Sequence, residues 1–92
     1  MQDTSAQILS LQALAWLAEQ DDIFLDFLQA TGASATNLRE RASEAEFQGA
    51  VLDFLMTNDA WIVAFCDAHG LAYTAPASAR AALPGGADLH WT

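Results

Sequence analysis

Apolar residues recur at intervals of three and four positions along most of this chain, and glycines stand where two of the apolar segments end. Such spacing places apolar side chains on one face of an α-helix, and glycine accepts the left-handed backbone that commonly closes a helix. Two capping patterns precede apolar segments, T-x-x-Q at Thr4 and S-x-x-E at Ser43. The sequence therefore predicts an all-α protein.

The first two helices are predicted from this punctuation. The first begins at the Thr4 capping box and runs to about Glu19. Its buried stripe is predicted at Ile8, Leu11, Leu14, Ala15 and Ala18. The second begins at Asp21 or Asp22 and ends at Gly32, and its many apolar residues predict that only a narrow polar stripe meets solvent.

Four further helices follow. A short third helix of about two turns begins after Ser34, and the fourth begins after the Ser43 capping box. The fifth, Asp59 to His69, is apolar nearly all round, so we expect it at the centre of the fold. Pro76 suits the first turn of a last helix that ends at about Leu83. The fourth helix is predicted to bury Phe47, Val51, Phe54 and Leu55.

An internal repeat accompanies these helices. Shifting the chain by 38 positions aligns residues 12–36 with residues 50–74, and seven of the 25 pairs are identical. We interpret this as two copies of one helical hairpin, the alternative being two unrelated amphipathic hairpins of similar length. Both interpretations predict a compact bundle of about five to six helices in a single domain, 1–92. Its helical body is 4–73, and the Ala/Pro/Gly-rich segment 74–92, with its short helix, packs back on that body.

The charge balance limits the partners that we expect. Twelve acidic residues against three basic ones give a net charge of −9, which repels nucleic-acid phosphates and anionic lipid headgroups. No apolar run approaches the roughly 18 residues of a membrane span. A single cysteine fits a reducing compartment, and the first residues lack the basic start of a signal peptide. We therefore expect a cytoplasmic protein that binds neither nucleic acid nor membrane.

The chain contains no lysine, which excludes Schiff-base catalysis and a P-loop. Arg39 and Arg41 lie together on one short segment and form a candidate surface for an acidic partner or a second copy. The alternative is that these arginines only neutralise neighbouring glutamates. Trp91 is the other candidate interaction residue, because tryptophan is enriched where proteins bind each other; packing on the body is equally consistent with its sequence position.

Other residues suggest chemistry less strongly. Cys66 and His69, three positions apart, could begin a metal site or a thiolate–imidazole pair, with His90 as a third member. The favoured interpretation is that Cys66 is a small core residue. Asp22 and Asp26 could form a carboxylate pair, but a solvated helix face explains them better. We therefore predict no catalytic residues, no metal and no cofactor.

Several segments resemble one known family. The segments EQDDIFLDFLQATG and EAEFQGAVLDFLMTNDAWIVAFCDAHG, with the ending ALPGG…HW, resemble the DUF3572 family across nearly the whole chain. This is a group of small proteins, mainly from alphaproteobacteria, whose name records that no function has been assigned. The resemblance implies a bacterial protein. It supplies no site residues, and it suggests signalling because such proteins are often encoded near two-component response regulators.

Together these observations favour a non-catalytic protein–protein interaction module. Its partner would be another protein or a second copy, with a symmetric homodimer favoured over a monomer. One alternative is an acidic inhibitor or antitoxin-like protein that occupies a basic site on its target. Less favoured are a helix-turn-helix nucleic-acid binder and a small enzyme centred on Cys66 and His69.

Overall fold

The computed structural model describes residues 1–84, which form six α-helices and no β-strand. The helices are α1 (Asp3–Ala18), α2 (Asp21–Thr31), α3 (Leu38–Arg41), α4 (Ala45–Leu55), α5 (Asp59–His69) and α6 (Ala75–Ala82). This confirms the predicted all-α bundle. The predicted packing of the last residues on the body falls on 85–92, outside the described residues.

Helix α1 is the central element, because α2, α4 and α6 all pack against it. The residues that it buries are Ala6, Leu9, Ser10, Ala13, Trp16 and Leu17. The predicted stripe is therefore wrong: Ile8, Leu11, Ala15 and Ala18 are exposed, and Leu14 is only half-buried. The buried face holds Trp16, the largest apolar side chain of α1, and burial is favoured in proportion to apolar area.

The two predicted capping boxes are also wrong. Helix α1 begins at Asp3, one residue before Thr4, and has no side-chain cap. The Ser43 hydroxyl donates to the carbonyl of Glu40 at 2.9 Å, so it points away from the start of α4. Among the six helices described, α5 has a side-chain cap at its start, where Oδ1 of Asn58 accepts from the backbone N–H of Ala60 at 2.9 Å.

The ends of α2 and α5 confirm the predicted glycine caps. Gly32 and Gly70 have φ angles of +72° and +65°, which glycine adopts without a Cβ clash. These glycines correspond in the 38-residue repeat, and two more of its identical pairs share an environment, because all four side chains are 0% exposed: Leu17 with Leu55, and Phe27 with Phe65. The two hairpins thus bury equivalent positions.

The core is built around Phe27. Its ring meets those of Phe47 and Phe54 edge to face, at centroid distances of 5.7 and 5.4 Å. Trp16 meets Phe65 in the same way at 6.2 Å. Edge-to-face contacts of this kind add to the free energy gained from burial.

Three helices differ from their predictions. Helix α5 is not at the centre, because it buries only Phe65 and Cys66. Helix α2 buries only Phe27, and its Leu25 is 59% exposed, so its solvated side is wider than predicted. Helix α3 has one turn instead of two, because the preceding residues form a separate turn in which the N–H of Ser34 donates to Asn37 Oδ1.

Helix α6 is fastened to α4 through Arg80. Its Nε donates to Asp53 Oδ1 at 2.8 Å, and its Nη1 donates to the carbonyl of Pro84 at 3.3 Å. The guanidinium lies across Gly49, where an added Cβ would come within 2.9 Å of Nη1. The missing side chain at Gly49 therefore leaves the space that the guanidinium occupies.

Among residues 1–84, no single helix has the length and apolar character needed to cross a bilayer. Helices α4 and α5 meet that test only as a pair, which is bent by 110°.

Two substitutions on α2 test this packing. We expect Phe27→Ala to lower the free energy of unfolding by about 3–5 kcal/mol, because it removes the ring that the core aromatics contact. Leu25→Ala should change it by no more than about 0.5 kcal/mol, since that side chain is mostly in solvent. Urea titrations followed by circular dichroism measure both values. Equal losses for the two variants would contradict the described face of α2.

Candidate interaction surface

Helix α1 presents a second apolar face to solvent, which we call the outer stripe: Ile8, Leu11, Ala15 and Ala18. Ile8 is 53% exposed and Leu11 is 44% exposed. The intervals between successive members are three, four and three residues, the spacing that paired helices use for the seam between them. The outer stripe therefore has the pattern of a helix-packing surface, but no element within residues 1–84 covers it.

A shallow cavity of about 380 Å³ adjoins the outer stripe. Leu11 belongs to both features, and the α3–α4 segment forms the opposite wall. The lining thus combines an apolar side chain with the charged end of Arg39 and several neutral polar groups. The lining residues are Gln7, Leu11, Arg39, Ala42, Ser43 and Gln48.

Gln48 holds α3 in place beside this cavity. Its side chain is only 5% exposed, and its Nε2 donates to the carbonyl of Ala42, the C-cap of α3, at 2.9 Å. Leu38, at the other end of α3, packs against the core. Oε1 of Gln48 is buried without a hydrogen-bond partner in the described residues, which costs about 1–3 kcal/mol. Together these contacts fix the position of Arg39 relative to α1.

The structure separates the two arginines that the sequence grouped together. Arg41 lies 3.7 Å from Glu44 and 4.8 Å from the centroid of the Phe47 ring. It therefore fits the alternative interpretation, in which the arginine neutralises a local acid. Arg39 is exposed, lines the cavity and has no carboxylate partner in the described part of the chain. Arg39 is the residue of this pair that remains available to a partner.

Acidic side chains gather at the other end of α1. Glu19, Asp21 and Asp22 are all exposed around the α1–α2 turn, and none forms an ion pair with a residue in 1–84. Asp26, one turn after Asp22, is exposed as well. Solvent around both carboxylates fits the solvated-face interpretation of Asp22 and Asp26. Within residues 1–84, unpaired Arg39 thus lies near Leu11 and unpaired Glu19, Asp21 and Asp22 follow Ala18, while Asp3 is a further exposed acid at the start of α1.

Cys66 and His69 lie in different environments. The Cys66 side chain is fully buried, and its Sγ donates to the carbonyl of Ala72 at 3.4 Å. Burial raises the pKa of the Cys66 thiol, and the nearby carboxylate of Asp67 raises it further. His69 is exposed, with its ring 4.8 Å from that of Phe65. A buried, protonated thiol is a poor nucleophile and a poor metal ligand.

The metal-site hypothesis gains no further residues from the fold. His90, its third member, lies beyond the described residues. Within 1–84 no three side chains among His, Cys, Asp and Glu come together in a way that could hold a metal ion.

The two tryptophans within residues 1–84 differ in how deeply they are buried. Trp16 is buried in the core. Trp61 is half-buried and stacks on Phe54 at 5.3 Å, so it covers the edge of the core. Trp91, the third candidate interaction residue, falls outside the described residues.

Sequence reasoning assigned the outer stripe to the core and did not identify Gln48 as part of a site. The signal for a second face was present, because Leu9, Ala13, Trp16 and Leu17 also follow three–four spacing. Periodicity reveals both stripes but does not rank them, and the position of Trp16 was the available guide to the buried one. The contact from Gln48 to Ala42 depends on the turn between α3 and α4, for which the sequence carries no comparable pattern.

Thiol reactivity tests the description of Cys66. At pH 8 we expect a soluble aromatic disulfide to react with native protein at least about 100-fold more slowly than with protein in 8 M urea, because the thiol is buried and its pKa is raised. A matched control places the only cysteine on the exposed side of the same helix, as Val63→Cys with Cys66→Ala, and should react rapidly when native. Equal native rates for the two proteins would contradict the buried thiol.

One comparison with known proteins gives a match. The family model described as "Protein of unknown function (DUF3572)" matches residues 3–86. No curated protein and no solved structure matches the chain. Since the family match extends over most of the sequence, including all six helices, the chain belongs to the DUF3572 family.

Proposed function

We propose that this protein is a non-catalytic protein–protein interaction module that binds its partner through the outer stripe of α1 and the adjoining cavity with Arg39. The observation that carries the proposal is the second apolar face of α1, where Ile8 and Leu11 are about half exposed. Contiguous exposed apolar side chains bordered by polar groups are typical of interaction sites. A cytoplasmic, bacterial signalling setting is part of the proposal and follows from the acidic composition and the family resemblance.

The composition of this surface supports a protein as the partner. An apolar centre with an arginine at its border is typical of protein interfaces, in which arginine is enriched and lysine is depleted. Arg39 lines the cavity with Leu11 and Gln7 and has no carboxylate partner in residues 1–84, so it can pair with an incoming carboxylate. The groups that suggested catalysis lie elsewhere: Cys66 is buried, and Asp22 and Asp26 are solvated.

A second candidate function is that of an acidic inhibitor. It is favoured by Glu19, Asp21 and Asp22, which are exposed and unpaired within the described residues. Such a cluster would steer the protein toward a basic site on a target. The outer stripe is the stronger basis for a proposal, because exposed acidic residues also serve solubility alone.

A helix-turn-helix nucleic-acid binder has one supporting feature. Helices α4 and α5 meet at 110°, within the range of that motif, and are joined by residues 56–58. The exposed side of α5 carries Asp59 and Asp67, and the helix contains no arginine or lysine. These charges oppose contact with phosphates, so the charge pattern argues against nucleic acid as the partner.

Affinity purification from the native host tests the proposal. The bait proteins are the wild type, Leu11→Gln and the control Val63→Gln, which changes a similarly exposed apolar residue on α5, and bound proteins are quantified by mass spectrometry. We expect a specific bound protein, another chain or untagged copies of this one, that Leu11→Gln retains at least about tenfold less well, since the change places an amide in an apolar contact. Val63→Gln should retain it fully.

Circular dichroism and urea unfolding of the three baits establish that each is folded. Identical sets of bound proteins for the wild type and Leu11→Gln would contradict the proposed surface.

A further inference from the structure

We infer that the outer stripe binds the outer stripe of a second copy of this chain, with the two α1 helices antiparallel and related by a two-fold axis. The inference rests on the proposed function and names its partner. It follows from the distribution of side-chain size and charge along one helix face. The large side chains and the cation lie toward one end of this face, and the small side chains and several anions lie toward the other. Two copies therefore complement each other only when their helices run in opposite directions.

Side-chain size changes along the outer stripe. The large members of the outer stripe, Ile8 and Leu11, come first along the helix, and the small members, Ala15 and Ala18, come last. In an antiparallel pair with its axis at the level of residue 13, each Ile8 lies against the partner's Ala18. Each Leu11 then lies against the partner's Ala15, so large residues meet small ones. The alanines near the axis allow the helices to approach to about 8 Å, the lower end of ordinary helix packing. A parallel pair would instead place Leu11 against Leu11 and leave the alanine end poorly filled.

The charged side chains near the outer stripe are also distributed unevenly along α1. Arg39 lines the cavity with Gln7 and Leu11, which places it level with residues 7–11 of α1. In the antiparallel pair this level faces residues 15–19 of the second copy, where Glu19 is exposed and exposed Asp22 follows within one turn. Arg39 and these acids have no ion-pair partners within the described residues of their own chain. The two-fold axis therefore brings each unpaired cation to the unpaired anions of the other copy.

The geometry within one copy explains why these charges do not pair internally. The levels of Leu11 and Ala18 are seven residues apart, about 10.5 Å along the helix axis at 1.5 Å per residue. A second antiparallel copy removes this separation without any change in the fold. The same contact covers the outer stripe, which no element in residues 1–84 covers.

The first experiment measures mass against concentration. We expect the mass of the wild type, measured by sedimentation equilibrium, to rise from the 9.9 kDa of the monomer toward twice that value between low and high micromolar concentration. Leu11→Gln should weaken dimerisation at least about tenfold, because an amide would have to be buried against the partner's Ala15. Val63→Gln, at a similarly exposed apolar residue on α5, should leave the dissociation constant unchanged.

The second experiment uses charge reversal and mixing. Arg39→Glu alone brings two acidic side chains together at each of the two symmetric contacts, and Glu19→Arg alone brings two basic side chains together there. Each variant should therefore dimerise at least about tenfold more weakly than the wild type. An equimolar mixture of the two variants should restore dimerisation, because opposite charges then meet at both contacts of the mixed dimer.

Each of the two contacts of the mixed dimer joins residue 39 of one variant to residue 19 of the other. In the mixed dimer one contact joins the introduced glutamate of the first variant to the introduced arginine of the second, and the other contact joins the unchanged Arg39 to the unchanged Glu19. Both contacts are thus attractive, whereas both contacts of either variant alone are repulsive. A partner of any other chemistry, or a parallel pair, does not predict this restoration.

Several outcomes would overturn the inference: a 9.9 kDa wild type at every concentration, a dimer insensitive to Leu11→Gln, or a mixture no stronger than its components. Its failure differs from failure of the proposed function. A monomeric protein whose host partner is lost with Leu11→Gln refutes only the second copy as partner. A monomer with no Leu11-dependent partner refutes both. Urea unfolding of each variant confirms that the comparison is made between folded proteins.

Discussion

The fold depends on one constraint, which is that α1 carries apolar residues on two faces and the helices within residues 1–84 cover only one of them. The inner face, with Leu9, Trp16 and Leu17, receives α2, α4 and α6. Because those helices lie on the same side, Ile8 and Leu11 are left in solvent. The positions of α2, α4 and α6, and the existence of an exposed apolar surface, follow from that choice of face.

The face that α1 buries also determines where the charged side chains of α3 lie. Helix α3 is held beside the exposed side of α1 by Leu38 in the core and by the hydrogen bond from Gln48 to Ala42. Arg39 consequently lines a cavity together with Leu11, while Arg41, two residues later, is engaged by Glu44 and Phe47. With a net charge of −9, an arginine that lies beside an apolar stripe and has no ion-pair partner in residues 1–84 is a local exception to the acidic surface. At a protein interface, an unpaired charge of this kind fixes the orientation of the partner and also contributes to affinity.

Much of this architecture was predictable from the sequence, because its signals are local. The left-handed glycines at Gly32 and Gly70 and the Asn58 cap act within one helix turn, so they can be recognised without knowledge of the fold. The Thr4 and Ser43 capping patterns misled because hydroxyl groups have alternative local acceptors, as Ser43 does in Glu40. The buried face of α1 was assigned wrongly for a different reason. Two overlapping stripes satisfy the same periodicity, and only the other helices decide between them.

The available site depended on the same tertiary information. Arg39 was identifiable as a candidate from composition alone, since the chain has so few cations, but the difference between its environment and that of Arg41 was not. That difference arises from Glu44 and Phe47, which become neighbours of Arg41 through the turn into α4. Cys66 followed the simpler expectation for a lone cysteine on an apolar helix, because burial is the usual environment of such a residue.

The account is tested most directly by the solvent accessibility of individual α1 side chains in the monomer. Methyl NMR spectra, recorded at low micromolar concentration with a soluble paramagnetic probe, report it residue by residue. The account predicts strong broadening of the Ile8 and Leu11 methyl signals and protection of those of Leu9 and Leu17. Protection of Ile8 and Leu11 together with broadening of Leu9 would contradict it, because α1 would then bury the opposite face.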